Sequence, residues 1–116
     1  MMALIKAAPQ RDIEIITSAL TTLEAWDPRI GARAAALWDW ALSRIGIVHT
    51  DDQAISVARS LLRDTGLHGH KYAIDAVLAA TALAASARGH HVTVLTSNSN
   101  DLERLLANSN VRVELV

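Results

Sequence analysis

Residues 72–106 read YAIDAVLAATALAASARGHHVTVLTSNSNDLERLL. From Tyr72 to Ala87 the side chains are mostly small and apolar on every face, with Asp75 the one charge among them. The pattern predicts a helix from about Ala73 to Arg88, packed deeply rather than laid on a surface, and Gly89 supplies its stop. His91–Thr96 is rich in β-branched residues and predicts a strand, followed by a turn at Ser97–Asn100 and a short helix over Leu102–Ala107. Val111–Leu115 reads as a final strand. Helices and short β-branched runs in alternation are the signature of an α/β layer fold with a mostly parallel sheet.

The upstream half continues the alternation. A short helical start ends near Pro9, Ile13–Ile16 reads as a strand, and Thr17 or Ser18 caps a helix that runs through Trp26 and stops at Asp27-Pro28. From Ala32 to Arg44, Ala34, Leu37, Trp38, Ala41, Leu42 and Ile45 recur at three- and four-residue steps, which predicts an amphipathic helix buried on that face. Gly46–His49 is a short strand. Asp51 or Asp52 caps the next helix, with Ala54, Ile55, Ala58, Leu61 and Leu62 as its buried stripe and Gly66 as its end. Leu67–Lys71 reads as a polar loop. One domain over 1–116, with helices on both faces of a central sheet, is the expected plan.

Composition narrows the function. The 116 residues are 51% hydrophobic and 20% charged, the balance of a globular chain. Eleven basic residues against twelve acidic ones give a net charge of −1, so any polyanion partner must be held by a local basic rim rather than by the whole surface. Without cysteine, disulfides, thiolate zinc sites and cysteine nucleophiles are excluded. The opening MMALIKAA is too short for the apolar core of a secretory signal. The longest apolar run falls below the roughly 20 residues of a membrane span. A cytoplasmic location with no membrane partner is expected.

Ligands of open parallel sheets collect beyond the carboxyl ends of the strands, so polar residues just after a strand matter most. Asp75 stands out because a carboxylate within so apolar a helix is costly to bury. A position near the helix start, where the macrodipole stabilises an anion, is the structural explanation; a metal ligand or general base is the chemical one. Asp101 follows Asn98 at capping-box spacing, and Glu24 follows Thr21 at the same spacing or is a solvated residue near a helix end, so each also has a structural reading.

Taken in order, His70–Leu83, Val92–Leu105 and Val111–Val116 resemble the C-terminal half of a PIN domain, and Ile16–Glu24 resembles the segment that gives such domains their second acid. The likeness covers nearly the whole chain and is nearest to actinobacterial VapC-like proteins. It implies a three-layer α/β/α PIN-like fold and a metal-dependent endoribonuclease, the toxin of a toxin-antitoxin pair. Glu24, Asp75 and Asp101 match the metal-ligand positions for Mg²⁺ or Mn²⁺, and Asn98 matches a further catalytic position after the strand. RNA is the implied substrate; a cognate antitoxin and a homodimer are the implied partners. Hard divalent cations do take oxygen ligands, and clustered carboxylates repel until a cation joins them.

Two departures accompany the likeness. The family opens with a hydrophobic strand ending in Asp, whereas this sequence has no acid before Asp12, as if about fifteen to twenty family residues were missing. Asn98 is a neutral amide where the family usually has Asp, which lowers the expected cation affinity. The alternative reading is thus a catalytically impaired PIN-like protein acting through self-association or partner binding. A receiver-type phosphoacceptor domain fares worse, since the required Asp and Lys are absent from its strand ends.

Arg59, Arg63, His68, His70 and Lys71 precede Asp75 and are the candidate RNA-binding rim on the family reading; a solvated helix face and loop is the structural one. His68, His70, His90 and His91 lack the further ligands of a zinc set. Trp38 fits its helix's buried stripe and Trp26 a core position, while Trp40 falls off the stripe and is expected to be partly exposed, as a dimer contact, a base-stacking ring or a plain surface Trp.

Overall fold

A computed structural model describes residues 5–6, 15–24, 27–96 and 99–115, Glu24 by its backbone only. The chain forms two compact units, 1–49 and 50–116.

The first unit holds β1 (Ile16–Ser18), α1 (Ala19–Glu24), α2 (Ala32–Ser43) and β2 (Gly46–Val48). β1 and β2 pair in parallel, Ile16 with Gly46 and Ser18 with Val48. The observed strand shares Ile16 with the predicted Ile13–Ile16 and runs two residues further; Ile15 is outside it, and residues 13 and 14 lie outside the described residues. Thr17 is β-branched and continues it, and Ser18 ends it by capping α1, its buried hydroxyl accepting from the Thr21 N–H at 3.2 Å.

The α2 stripe needs correction. Ala41 is buried and Trp38, Leu42 and Ile45 half-buried, but Ala34 is exposed and Leu37 is 51% exposed. α2 packs on β2, and a three-residue strand of roughly 10 Å covers only part of a twelve-residue helix of roughly 18 Å. Trp40 is half-buried, with the Arg44 guanidinium 5.4 Å and the Lys6 ammonium 6.0 Å from its ring centre, so cations occupy this ring. Arg29 grips Asp27 in a forked pair, Nε to Oδ1 at 3.1 Å and Nη2 to Oδ2 at 2.9 Å, which holds that exposed carboxyl below its ordinary range. Trp26 lies outside the described residues.

The second unit holds α3 (Asp52–Thr65), α4 (Gly69–Ala87), β3 (Thr93–Thr96), α5 (Ser99–Leu105) and β4 (Arg112–Leu115). Asp51 caps α3 by accepting from the Ala54 N–H at 2.8 Å, and Gly66 ends it in the left-handed region at φ 71°. On its stripe Ala58 is buried, whereas Ile55 stays 40% exposed, contrary to the pattern.

α4 starts four residues before the predicted Ala73 and absorbs His70 and Lys71, which the sequence places in a loop. The N–H groups of Lys71 and Tyr72 close the first turn on the His68 carbonyl at 3.3 and 2.9 Å. Packing of α4 along α3 outweighs the weak helix propensity of Gly69. The helix ends in a Schellman motif: the Gly89 N–H donates to the Ser86 carbonyl at 3.0 Å and the His90 N–H to that of Ala85 at 3.4 Å, with Gly89 at φ 93°.

β3 and β4 pair in parallel from Thr93 with Arg112 to Thr96 with Leu115. Ala79, Ala82, Val94, Leu102, Leu105, Leu106 and Val111 form the buried cluster beneath them. α5 begins three residues before the predicted Leu102. Mixed helix and short parallel strands agree with an α/β class. The described strands form two parallel pairs, one in each unit.

The two ends of α4 respond differently to the same substitution. Gly89→Ala forces a Cβ into the left-handed region and lowers stability by about 1 kcal/mol. Gly69→Ala raises it by about 0.5 kcal/mol, since the new Cβ meets only Leu62 Cδ1 at 3.8 Å and the helix start loses a flexible residue. Urea unfolding of the two variants measures both shifts.

Candidate functional site

In the second unit, α4 turns back at Gly89 and β3 follows, so the carboxyl end of β3 lies toward the amino-terminal half of α4. The buried cluster fixes the level, since Ala79 and Ala82 of α4 share it with Val94 of β3 and Leu105 of α5. Asp75 continues the Ala79–Ala82 stripe one helical turn earlier, a rise of about 6 Å. Thr96 continues the side of β3 that carries Val94, about 7 Å onward. Asp101 continues the α5 stripe one turn before Leu105. Each of these three residues thus extends the apolar cluster by one step toward the carboxyl end of β3, and each is half-buried. Neither Asp75 nor Thr96 stands without a partner. Thr96 escaped the sequence reading; its two-residue spacing from Val94 was the available signal.

Two structural explanations fall away. Asp75 is the seventh residue of α4, beyond the first turn in which free N–H groups and the macrodipole favour an anion. Placement at a helix start therefore does not account for it. Glu24 is the last residue of α1, and the cap of that helix is Ser18, so Thr21 and Glu24 do not form a capping box. A carboxylate at a helix carboxyl end also opposes the dipole. The Glu24 side chain and all of Asn98 lie outside the described residues, and with Asn98 the capping-box reading of Asp101. Asp101 itself lies in the first turn of α5.

Among the described residues no three metal-ligating side chains group together; of the four residues marked by the sequence, Asp75 and Asp101 are the two whose side chains are described. Their oxygen donors, with the Thr96 hydroxyl at the same end, suit a hard divalent cation.

The basic residues are all exposed. Arg59 and Arg63 stand one turn apart on α3, with Arg63 Nε 3.5 Å from the exposed Asp64 carboxylate. His68 precedes α4, and His70 and Lys71 lie in its first turn, the Lys71 ammonium 5.1 Å from the Tyr72 ring centre. Because α3 packs along α4, these cations belong to one helix pair, and a helix fixes two of them where a loop was expected. No helix among the described residues is long and apolar enough to cross a membrane.

The chain matches no family model, no curated protein and no solved structure. The likeness to PIN domains therefore rests on the order and spacing of the residues quoted above.

Carboxylates that face one site repel until a cation joins them, so the placement of Asp75 and Asp101 toward the same end of β3 has a direct thermal test. Mn²⁺ at ten times its Kd is expected to stabilise the wild-type chain by about 1.4 kcal/mol, relative to K⁺ at equal ionic strength. Asp75→Asn is expected to lose most of that gain in the same melts.

Proposed function

We propose that this chain is a PIN-type, Mg²⁺- or Mn²⁺-dependent endoribonuclease, similar to the toxin of a VapBC-like pair, with a three-layer α/β/α plan. The observation that supports the reading is the placement of Asp75 and Asp101 one step beyond the core at the carboxyl end of β3. Asp75 lies beyond the first turn of its helix, so no helix start accounts for a carboxylate in that apolar surface, whereas Asp101 lies in the first turn of α5. Asp75 and Asp101 hold the cation; Glu24 enters the set through the resemblance alone. When bound, a divalent ion supplies charge neutralisation at a phosphate and acidifies a water.

The other residues bind and orient. Asn98 positions a water or a phosphate oxygen through its amide, without adding charge. Arg59, Arg63, His68, His70 and Lys71 contact RNA phosphates, which set the position of the strand but carry no sequence information. With a net charge of −1, affinity comes from this local rim and falls as salt rises. An antitoxin and a second copy of the chain are the partners that accompany this reading.

The missing charge at position 98 favours a second reading, a PIN-like protein that binds partners without cutting RNA. A single-stranded RNA cleavage assay under Mn²⁺ titration separates the two. On the nuclease reading Asp75→Asn lowers the rate by at least about 100-fold, more than is typical of groups that only support a ligand, while Glu103→Gln, an exposed acid on α5, cuts as wild type. Equal traces of cleavage in wild type and Asp75→Asn point to the binding reading.

Asn98→Asp tests the charge itself. One added carboxylate is worth at least roughly 1 kcal/mol of attraction at 4 Å even in water, so Mn²⁺ is expected to bind at least about fivefold tighter. Isothermal titration measures the change.

A further inference from the structure

The opposite end of the β3–β4 pair has a different chemistry. A cavity of about 470 Å³ opens there between the carboxyl-terminal turn of α4 and the amino-terminal edge of the two strands. Ser86, His90, His91, Thr93, Asn110 and Arg112 line it, and among the described residues no carboxylate does. Among the described residues, the side chains of the first five make no hydrogen bond or ion pair within the chain. Arg112 Nη2 donates to Glu114 Oε1 at 2.6 Å, which leaves most of the five guanidinium N–H donors uncommitted.

A helix carboxyl end ordinarily repels anions. Here two of the closing carbonyls of α4 are already taken, Ala85 by the His90 N–H and Ser86 by the Gly89 N–H. The β4 side is fixed by the Arg112 N–H, which donates to the Val92 carbonyl at 3.0 Å. The cavity wall therefore presents hydroxyl, imidazole, amide and guanidinium donors beside a helix end whose Ala85 and Ser86 carbonyls are occupied. Charge-assisted bonds from such donors are the usual means of holding a tetrahedral oxyanion.

We propose that this cavity is a binding site for a phosphate group, carried either by free phosphate or by a nucleic-acid backbone. It is separate from the carboxylate end and does not depend on the nuclease reading. Ser86, Thr93 and Asn110 donate to its oxygens, the two imidazoles flank it, and Arg112 supplies the formal charge.

The test is an amide ¹H–¹⁵N titration of the full chain in a chelator, so that no divalent cation takes part and the result is blind to the proposed cation site. Inorganic phosphate is one arm, potassium chloride at matched ionic strength a second, and a decaribonucleotide without terminal phosphate the third. Saturable shifts centred on 89–93 and 110–112, present with phosphate and absent with chloride, are expected. Arg112→Gln is expected to weaken them about tenfold, the effect of losing a charged hydrogen-bond partner. The Arg112–Glu114 pair is exposed and contributes little to folding; His91→Ala is a second variant in which saturation also weakens. Tighter saturation of the same amides by the oligonucleotide identifies the backbone as the source of phosphate, and weaker or absent saturation identifies the free ion. Phosphate shifts that fail to saturate, that chloride reproduces, or that neither variant weakens overturn the proposal.

Discussion

Small side chains along α4 are the constraint on which the second unit depends. Alanines 76, 79, 80, 82 and 85 are buried, with Val77 and Thr81 between them, so the helix is enclosed on more than one side. α3 packs along it, α5 packs against it, and Ala79 and Ala82 meet Val94 of β3 in the buried cluster. Each buried methyl contributes only about 0.8 kcal/mol, but larger side chains would overpack a helix enclosed in this way. The polar group inside this apolar surface is provided for: the Thr81 hydroxyl donates to the Val77 carbonyl at 2.9 Å.

That packing fixes the level of α4 against β3 and, with it, what lies at each end. Toward the carboxyl end of β3 the stripes run out into Asp75, Thr96 and Asp101. Toward the amino end they run out into the Schellman turn and a wall of uncommitted donors. One end carries Asp75 and Asp101 and the other a set of side-chain donors, and both follow from where a compact apolar cluster stops. The functional reading uses the first end and the phosphate proposal the second.

Much of this was legible in sequence because local chemistry decided it. Gly66 and Gly89 end their helices in left-handed conformations, Asp51 caps α3, and the strands predicted at His91–Thr96 and Val111–Leu115 form over 93–96 and 112–115. The misreadings occur where tertiary packing or a neighbouring residue overrides the pattern. Leu37 and Ile55 satisfy their stripes in spacing yet stay exposed, because periodicity says which face is apolar and not how far a partner extends along it. The early start of α4 depends on α3 beside it. Ser18, one of the two caps the sequence offered, takes that role and rules out a capping box between Thr21 and Glu24. For the site, spacing alone marked Asp75 and Asp101, whereas their common level required the cluster that joins α4, β3 and α5.

The central claim is that Asp75 and Asp101 serve one cation. Electron paramagnetic resonance of Mn²⁺ titrated into the full chain counts bound ions directly. The account predicts one tightly bound Mn²⁺ per chain, lost in Asp75→Asn and lost equally in Asp101→Asn, with Glu103→Gln unchanged. Full binding retained by either single aspartate variant would contradict it.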